Sequence, residues 1–411
     1  MENLFSKYLK GDPILWIVFF VMCIISAIEM YSASSTLAYG ADNYAGPMLR
    51  HVGFLFGGAI IAIVVHLIPV RYIRMMAYLV LLISVLLLVW VLFRGVSENG
   101  ASRWLVIMGI KFQPSEFAKL SVIIVAADMI SRIRDAKKDE WKYFRNTLIM
   151  LAIICTLILF DNFSTAFILF MVVVIMMFIG RVSLVKLGVL VGGLLLAIVF
   201  CFALVKTVPE KSMPKMFDRA YTWVGRIDRF KTEKKDEKSK YVITDDNRQV
   251  QHGRIAIARG GAVGVFPGNS IERDYLPQAY SDFIYAIIVE EMGLFGGIFV
   301  ILLYLVLLFR AGRIATKCAT VFPALLVIGL SLMIVIQAFI SMSVATSLGP
   351  VTGQPLPLIS RGGTSILITC IYFGIIFGVN RQIKEEYQAP IEEDIPVEPE
   401  EELSVVDLEN L

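Results

Sequence analysis

Ten apolar runs, read against the need to cross about 30 Å of hydrocarbon at roughly 1.5 Å per helical residue and with the fifth and sixth short for it, constrain this chain more than any motif in it. They lie near 14–35, 50–69, 73–94, 115–133, 146–160, 164–180, 186–206, 282–309, 322–345 and 364–380. A backbone in lipid must satisfy its own N–H and C=O groups, so runs of this length read as helices. The 57% hydrophobic content and mean hydropathy of +0.73 agree with a polytopic membrane protein. The expected fold is all-α: ten transmembrane helices within residues 1–384, with one large extracytoplasmic loop, 207–281, between the seventh and eighth. Lys7 and Lys10 before the first run resemble a signal peptide's start, but the run's length and the many spans behind it favour an uncleaved helix.

Charge orients the bundle. With the N-terminus inside, the loops after even-numbered spans carry Arg71 and Arg74, then Arg132 to Arg145, Arg181 and Lys186, Arg310 to Lys317, and Arg381 and Lys384. That is the positive-inside pattern, and it places both termini in the cytoplasm. Residues 385–411 hold eleven acidic and no basic residues, too polar to fold alone, and read as a disordered docking segment or a solvated end. The basic body suits anionic membrane lipid, and nothing resembles a nucleic-acid-binding domain. Cys23, Cys155, Cys201 and Cys370 fall in apolar runs and Cys318 in a basic loop, without metal-like spacing or a disulfide pattern. His51, His66 and His252 are scattered and no Walker A sequence is present, so zinc chemistry and ATP hydrolysis fit poorly.

The remaining chemistry sits at the ends of spans. In YLPQAYSDFIYAIIVEE, Ser281 or Asp282 falls where the cap and first turn of the eighth helix should be. An acid there is favoured by the helix dipole alone, or it serves as a general base whose pKa is tuned by desolvation and nearby cations. Glu290 and Glu291 lie deeper, where a charge is costly unless paired or wetted. In GASRWLVIMGIKFQPSEFAK, Arg103 and Lys111 either anchor the interface or face phosphate oxygens. Glu116 and Lys119 are spaced to meet on one helix face. The last outer segment, ATSLGPVTGQPLPLISRGGT, is stiffened by Pro350, Pro355 and Pro357, and its Arg361 precedes a Gly-Gly pair and Ser365 at a helix start, where backbone N–H groups favour anions. Residues 216–230 alternate aromatics with Arg, as in a helix lying on headgroups.

Taken in order, GASRWL, KFQPSEFAK, YLPQAYSDFIYAIIVEEMG and TGQPLPLISRGGTS resemble the SEDS family of shape, elongation, division and sporulation proteins, to which FtsW and RodA belong. The resemblance implies a peptidoglycan glycosyltransferase of the bacterial cytoplasmic membrane that polymerises lipid II on the outer side, beside a class B penicillin-binding protein transpeptidase and other division proteins. It assigns the essential acid to Asp282, the polar pair to Glu116 and Lys119, and the basic loop position to Arg103. Lys111, Arg361 and Ser365 join them as expected substrate-binding residues. A divalent cation, Mg or Mn, is expected only as a bridge on pyrophosphate oxygens, since no dedicated metal cage is visible. Two departures stand out: Ser360-Arg361-Gly362-Gly363 puts a cation where the family carries a phenol, and Asp161-Asn162-Phe163-Ser164-Thr165-Ala166 replaces the usual PDLGTA. The TGQPLPLIS segment points to the division branch over the elongation branch. Rival readings are a flippase for lipid-linked precursors, with Glu116, Lys119, Glu290 and Glu291 lining its path, and a non-catalytic division scaffold.

Overall fold

The computed structural model describes residues 11–33, 46–98, 101–107, 110–135, 140–159, 162–207, 218–235, 243–244, 247–276 and 279–388. Its elements are α1 (Pro13–Ala33), α2 (Gly46–Leu67), α3 (Val70–Arg94), β1 (Val96–Glu98), β2 (Ala101–Ile107), β3 (Ile110–Phe112), α4 (Pro114–Asp135), α5 (Glu140–Leu159), α6 (Phe163–Ile179) and α7 (Leu184–Thr207). There follow α8 (Asp218–Lys235), α9 (Arg248–Gly260), the single turn α10 (Glu272–Tyr275), α11 (Ile284–Ala315), α12 (Val321–Ala345) and α13 (Gly363–Gln388). The acidic tail from residue 389 lies outside the described residues.

Among the described residues, eight helices are long and apolar enough to cross a membrane: α1, α2, α3, α5, α7, α11, α12 and α13. The other two expected spans differ for opposite reasons. α6 is apolar but short. α4 is long enough but carries Glu116, Lys119, Asp128, Arg132 and Arg134. Its buried charges are paired: Asp128 accepts from Arg74, from Arg132 at 3.1 Å and from Tyr78 at 2.5 Å, which ties α4 to α3.

α12 and α13 form much of the interior, whereas α7 buries only Leu187 and Val205. α13 runs parallel to α2 at very close range. A Cβ on Gly58 would lie 2.6 Å from the Cys370 sulfur, one on Gly374 2.7 Å from the Ala62 carbonyl, and one on Gly378 3.1 Å from the His66 carbonyl. Small residues at helix-repeat spacing allow this approach, the usual way helices associate where lipid offers no hydrophobic drive.

Three features depart from an all-α bundle with a simple outer loop. Residues 96–112 form a three-stranded antiparallel sheet, with Val96 opposite Trp104 and Val106 opposite Lys111. Alternation along β2 puts Arg103 on the face of buried Leu105, while Lys111 shares the exposed face of Val106. Second, residues 207–281 are not one loop, since they contain α8, α9 and a segment, 261–266, that packs deep against α11. Third, α11 is broken at Gly293, where φ is +67° and ψ −173°.

That break is closed by backbone pairing. Val265 N–H donates to the Glu290 carbonyl at 3.0 Å and Phe266 N–H to that of Glu291 at 2.8 Å, while Leu294 N–H reaches the Gly261 carbonyl at 2.9 Å. Irregular backbone at membrane depth survives only where protein satisfies it, and 261–266 does so here.

Candidate active site

Asp282 lies just before α11 on a turn whose cap position is taken by Phe283, with no side-chain cap. The capping place expected for Ser281 or Asp282 is therefore empty of both, and the carboxylate is left for other work. Its one described hydrogen bond comes from the Ser281 hydroxyl at 2.9 Å. A Cβ on Gly353 would sit 3.5 Å from its Oδ2, so the last loop passes directly over it. Burial pushes the Asp282 carboxyl above its ordinary range; the Ser281 hydroxyl and the charges of Arg103 and Arg226 pull it back only in part.

Three segments bring polar and cationic groups here. β2 supplies Arg103 from its inner face, and α8 supplies Arg226, whose Nη1 donates to the Val351 carbonyl at 3.0 Å. Arg361 donates its backbone N–H to the Tyr280 carbonyl at 2.9 Å and lays its guanidinium 5.0 Å from the Tyr280 ring centre. Ser360 Oγ donates to the Ser281 carbonyl at 2.7 Å. Arg361 is thus held within two peptides of Asp282 along a strapped backbone. Lys111 stands on the other face of the sheet.

Residues 346–362 hold this geometry because they are tied on every side. Tyr304 OH donates to the Pro357 carbonyl at 2.6 Å and Ser26 Oγ to that of Ile359 at 2.9 Å. Glu116 and Lys119 lie inside the bundle, 2.7 Å apart, and Lys119 Nζ also donates to Gln337 Oε1 at 2.9 Å. Gln337 passes the contact on, donating to the Pro355 carbonyl at 3.1 Å. The start of α6 joins in: Gln354 Nε2 donates to Thr165 Oγ1 at 2.9 Å, and Asn162 caps α6 by accepting from Thr165 N–H. Ser365 is buried in the first turn of α13, where its carbonyl accepts from Thr369.

Sequence reasoning missed Arg226 as a site residue. Its signal was the aromatic and Arg alternation of 216–230, read as a surface helix. Trp223 instead packs 4.8 Å from Phe163, with Arg226 over its ring, which turns α8 toward the mouth.

A helical membrane bundle with an acid and three guanidiniums at one end defines a class: an integral membrane protein equipped for acid–base chemistry on an anionic, membrane-anchored substrate. The chain belongs to the cell cycle protein family of FtsW, RodA and SpoVE, which it matches over residues 12–385. It is 32% identical over 373 residues to the Hahella chejuensis protein named "Probable peptidoglycan glycosyltransferase FtsW", covering 87% of this chain and 88% of that one. The Bacillus subtilis protein of the same name is 32% identical over 391 residues, covering 92% and 93%. Among solved structures, one described as "Structural coordination of polymerization and crosslinking by a peptidoglycan synthase complex" aligns with a TM-score of 0.70 at 23% identity, covering 91% of this chain and 98% of that one. Thermus thermophilus RodA aligns at 0.62 and 22% identity, covering 93% and 99%. At these identities the structural likeness speaks for the fold.

Proposed function

We propose that this protein polymerises lipid II into peptidoglycan glycan strands, with release of polyprenyl pyrophosphate, as a division-type member of its family. The observation that carries the reading is Asp282, half-buried, facing Arg103 and Arg226 and strapped beside Arg361. Asp282 takes the proton of the acceptor sugar hydroxyl, and the freed oxygen attacks the anomeric carbon of a second lipid-linked glycan. The carbon–oxygen bond to pyrophosphate breaks, its electron pair leaves with the pyrophosphate, and the guanidiniums meet the charge that develops. Their placement by rigid loops means little reorganisation is needed at the moment of reaction. Glu116 and Lys119 act through Gln337 on the loop over Asp282, as positioning residues.

Among the described residues no group of three or more His, Cys, Asp or Glu gathers to hold a metal. A Mg or Mn ion would therefore rest on pyrophosphate oxygens, supply charge neutralisation there, and draw on Asp282 at most.

The bundle spans the cytoplasmic membrane ten times, α4 and α6 included, with both termini inside and Asp282 outside. The parallel course of α2 and α13 calls for an odd number of crossings between them, and α3 to α7 with α11 and α12 supply it. In this setting the new strand passes to a class B penicillin-binding protein transpeptidase within the division machinery.

The test is polymerisation of lipid II by purified protein in detergent, where no two sides exist for a flippase. Asp282→Asn should fold normally and lose about 10²- to 10⁴-fold in rate, the usual worth of a positioned base. Wild-type polymer yield from that variant would overturn the assignment.

A further inference from the structure

Below the mouth, on the same helix, lies a second charged cluster that the proposed chemistry does not use. Glu290 and Glu291 end the first half of α11, just before its break, and both are fully buried. Glu290 is saturated: Arg259 Nη1 stands 3.4 Å from Oε1, Ile271 N–H donates to the same oxygen at 3.2 Å, and Ser270 Oγ donates to Oε2. Glu291 Oε1 accepts from Ser32 Oγ and from Ser270 N–H at 3.3 Å. Arg273 donates to the Ser32 carbonyl at 3.1 Å and to its hydroxyl at 2.9 Å, and its charge acts on Glu291.

A third carboxylate acts on Glu291. Glu29 stands three residues before Ser32 on α1, on the same helix face, and none of its surface is exposed. Neither of its oxygens has a hydrogen-bond partner among the described residues, nor does Oε2 of Glu291, and the Glu29 and Glu291 charges act on one another. Three carboxylates against the guanidiniums of Arg259 and Arg273 leave one negative charge inside protein. Such a charge, and a carboxylate with no donor on either oxygen as at Glu29, do not persist in a buried site. One proton removes both defects, because a carboxylic acid is neutral and donates to the carboxylate beside it. An alkali cation would need more ligands than three oxygens from two side chains.

We propose that Glu29 and Glu291 bind a single proton between them, forming a carboxyl–carboxylate pair that fastens α1 to the break in α11. The other groups around the pair do not replace the proton. Glu290 is engaged as described, His51 of α2 shares a 2.8 Å hydrogen bond with Ser26 a turn earlier on α1, and Glu272 of the neighbouring segment is taken by His252 at 2.6 Å. Asp12 and Arg310, at the opposite end of α1, pair with each other at 3.1 Å.

The experiment is infrared difference spectroscopy of the full-length protein in detergent. The wild type should show a carboxylic-acid C=O band at neutral pH that shifts on labelling glutamate with ¹³C, an assay that needs no substitution. Glu29→Gln and Glu291→Gln should each abolish the band, the double variant should remove no more than either, and Asp282→Asn should keep it. A wild type without a labelled-glutamate band would overturn the proposal, as would loss of the band in Asp282→Asn or its survival in both glutamine variants. Twice the loss in the double variant would mean two protons and no sharing, and would overturn it too. A wild type lacking the band but gaining thermal stability from sodium would put a metal cation there in place of the proton, and the proposal would fall. Polymerase activity enters none of these readouts, so the cluster and the proposed reaction stand or fall separately.

Discussion

Asp282 and Glu290 stand about two helical turns apart at the head of α11, and the fold treats them in opposite ways. Glu290 is given three partners and no solvent. Asp282 is given one neighbouring hydroxyl, cations that act on it from a distance, and a loop that passes above without bonding to it. A carboxylate engaged at both oxygens and closed off from solvent is out of reach of a substrate proton; one left short of donors at the mouth can take it up. The mouth is therefore underfilled for chemistry, while Glu290 is held for structure.

The sharpest way to break this contrast is to attack the structural end. A Cβ on Gly293 would lie 2.3 Å from the Ala262 carbonyl oxygen, at a φ that L-residues rarely adopt. Neither 261–266 nor α11 can give way without losing the backbone pairs that close the break. Gly293→Ala should cost more than about 4 kcal/mol or prevent folding, read as loss of monodisperse protein and of the detergent melting transition. Gly312→Ala is the matched control, since its Cβ would meet nothing within 4 Å; it should be neutral or slightly stabilising.

Next in size is the support beneath the mouth. Lys119→Met leaves the Glu116 carboxylate buried without its cation, and removal of one partner of such a pair costs about 3–5 kcal/mol. Glu116→Gln with Lys119→Met should recover much of the melting temperature. Activity should not return with it, because the contact through Gln337 to Pro355 is still missing. If activity recovers together with stability, the polar pair only fills the core.

The contrast also marks what could be read from residues alone. Long apolar runs give helices because lipid leaves the backbone no other choice, and Asp282, Arg103 and Arg361 stand out because charges at span ends are costly to keep. The break at Gly293 does not stand out, for a glycine in an apolar run reads equally as a packing notch, as Gly374 is. The sheet at 96–112 hid in a stretch too short for periodicity to separate strand from loop. Arg226, Gln337 and Gln354 were invisible for another reason: each acts through a partner more than a hundred residues away, or on the far side of a loop whose course no local pattern sets. Glu29 lay in a run so apolar that one acid did not change its reading.

The smallest expected effect sharpens the mouth. Burial raises the Asp282 carboxyl, and Arg103 and Arg226 oppose that rise. A base works when deprotonated, so polymerisation should climb with pH through this raised value and level off above it. Arg226→Gln removes one opposing charge, and the climb should move to higher pH, with a tenfold rate loss on the acid side for each unit moved. Stability follows the same group with its own sign. A carboxyl that ionises less readily folded than unfolded makes the fold less stable as pH rises from about 3.9, the unfolded Asp value, to the raised one. Asp282→Asn should lack that decline and melt no lower than wild type at neutral pH. A rate profile that stays in place in Arg226→Gln, with maximal rate reduced at every pH, would mean that Arg226 meets the leaving pyrophosphate and has no hand in tuning the base.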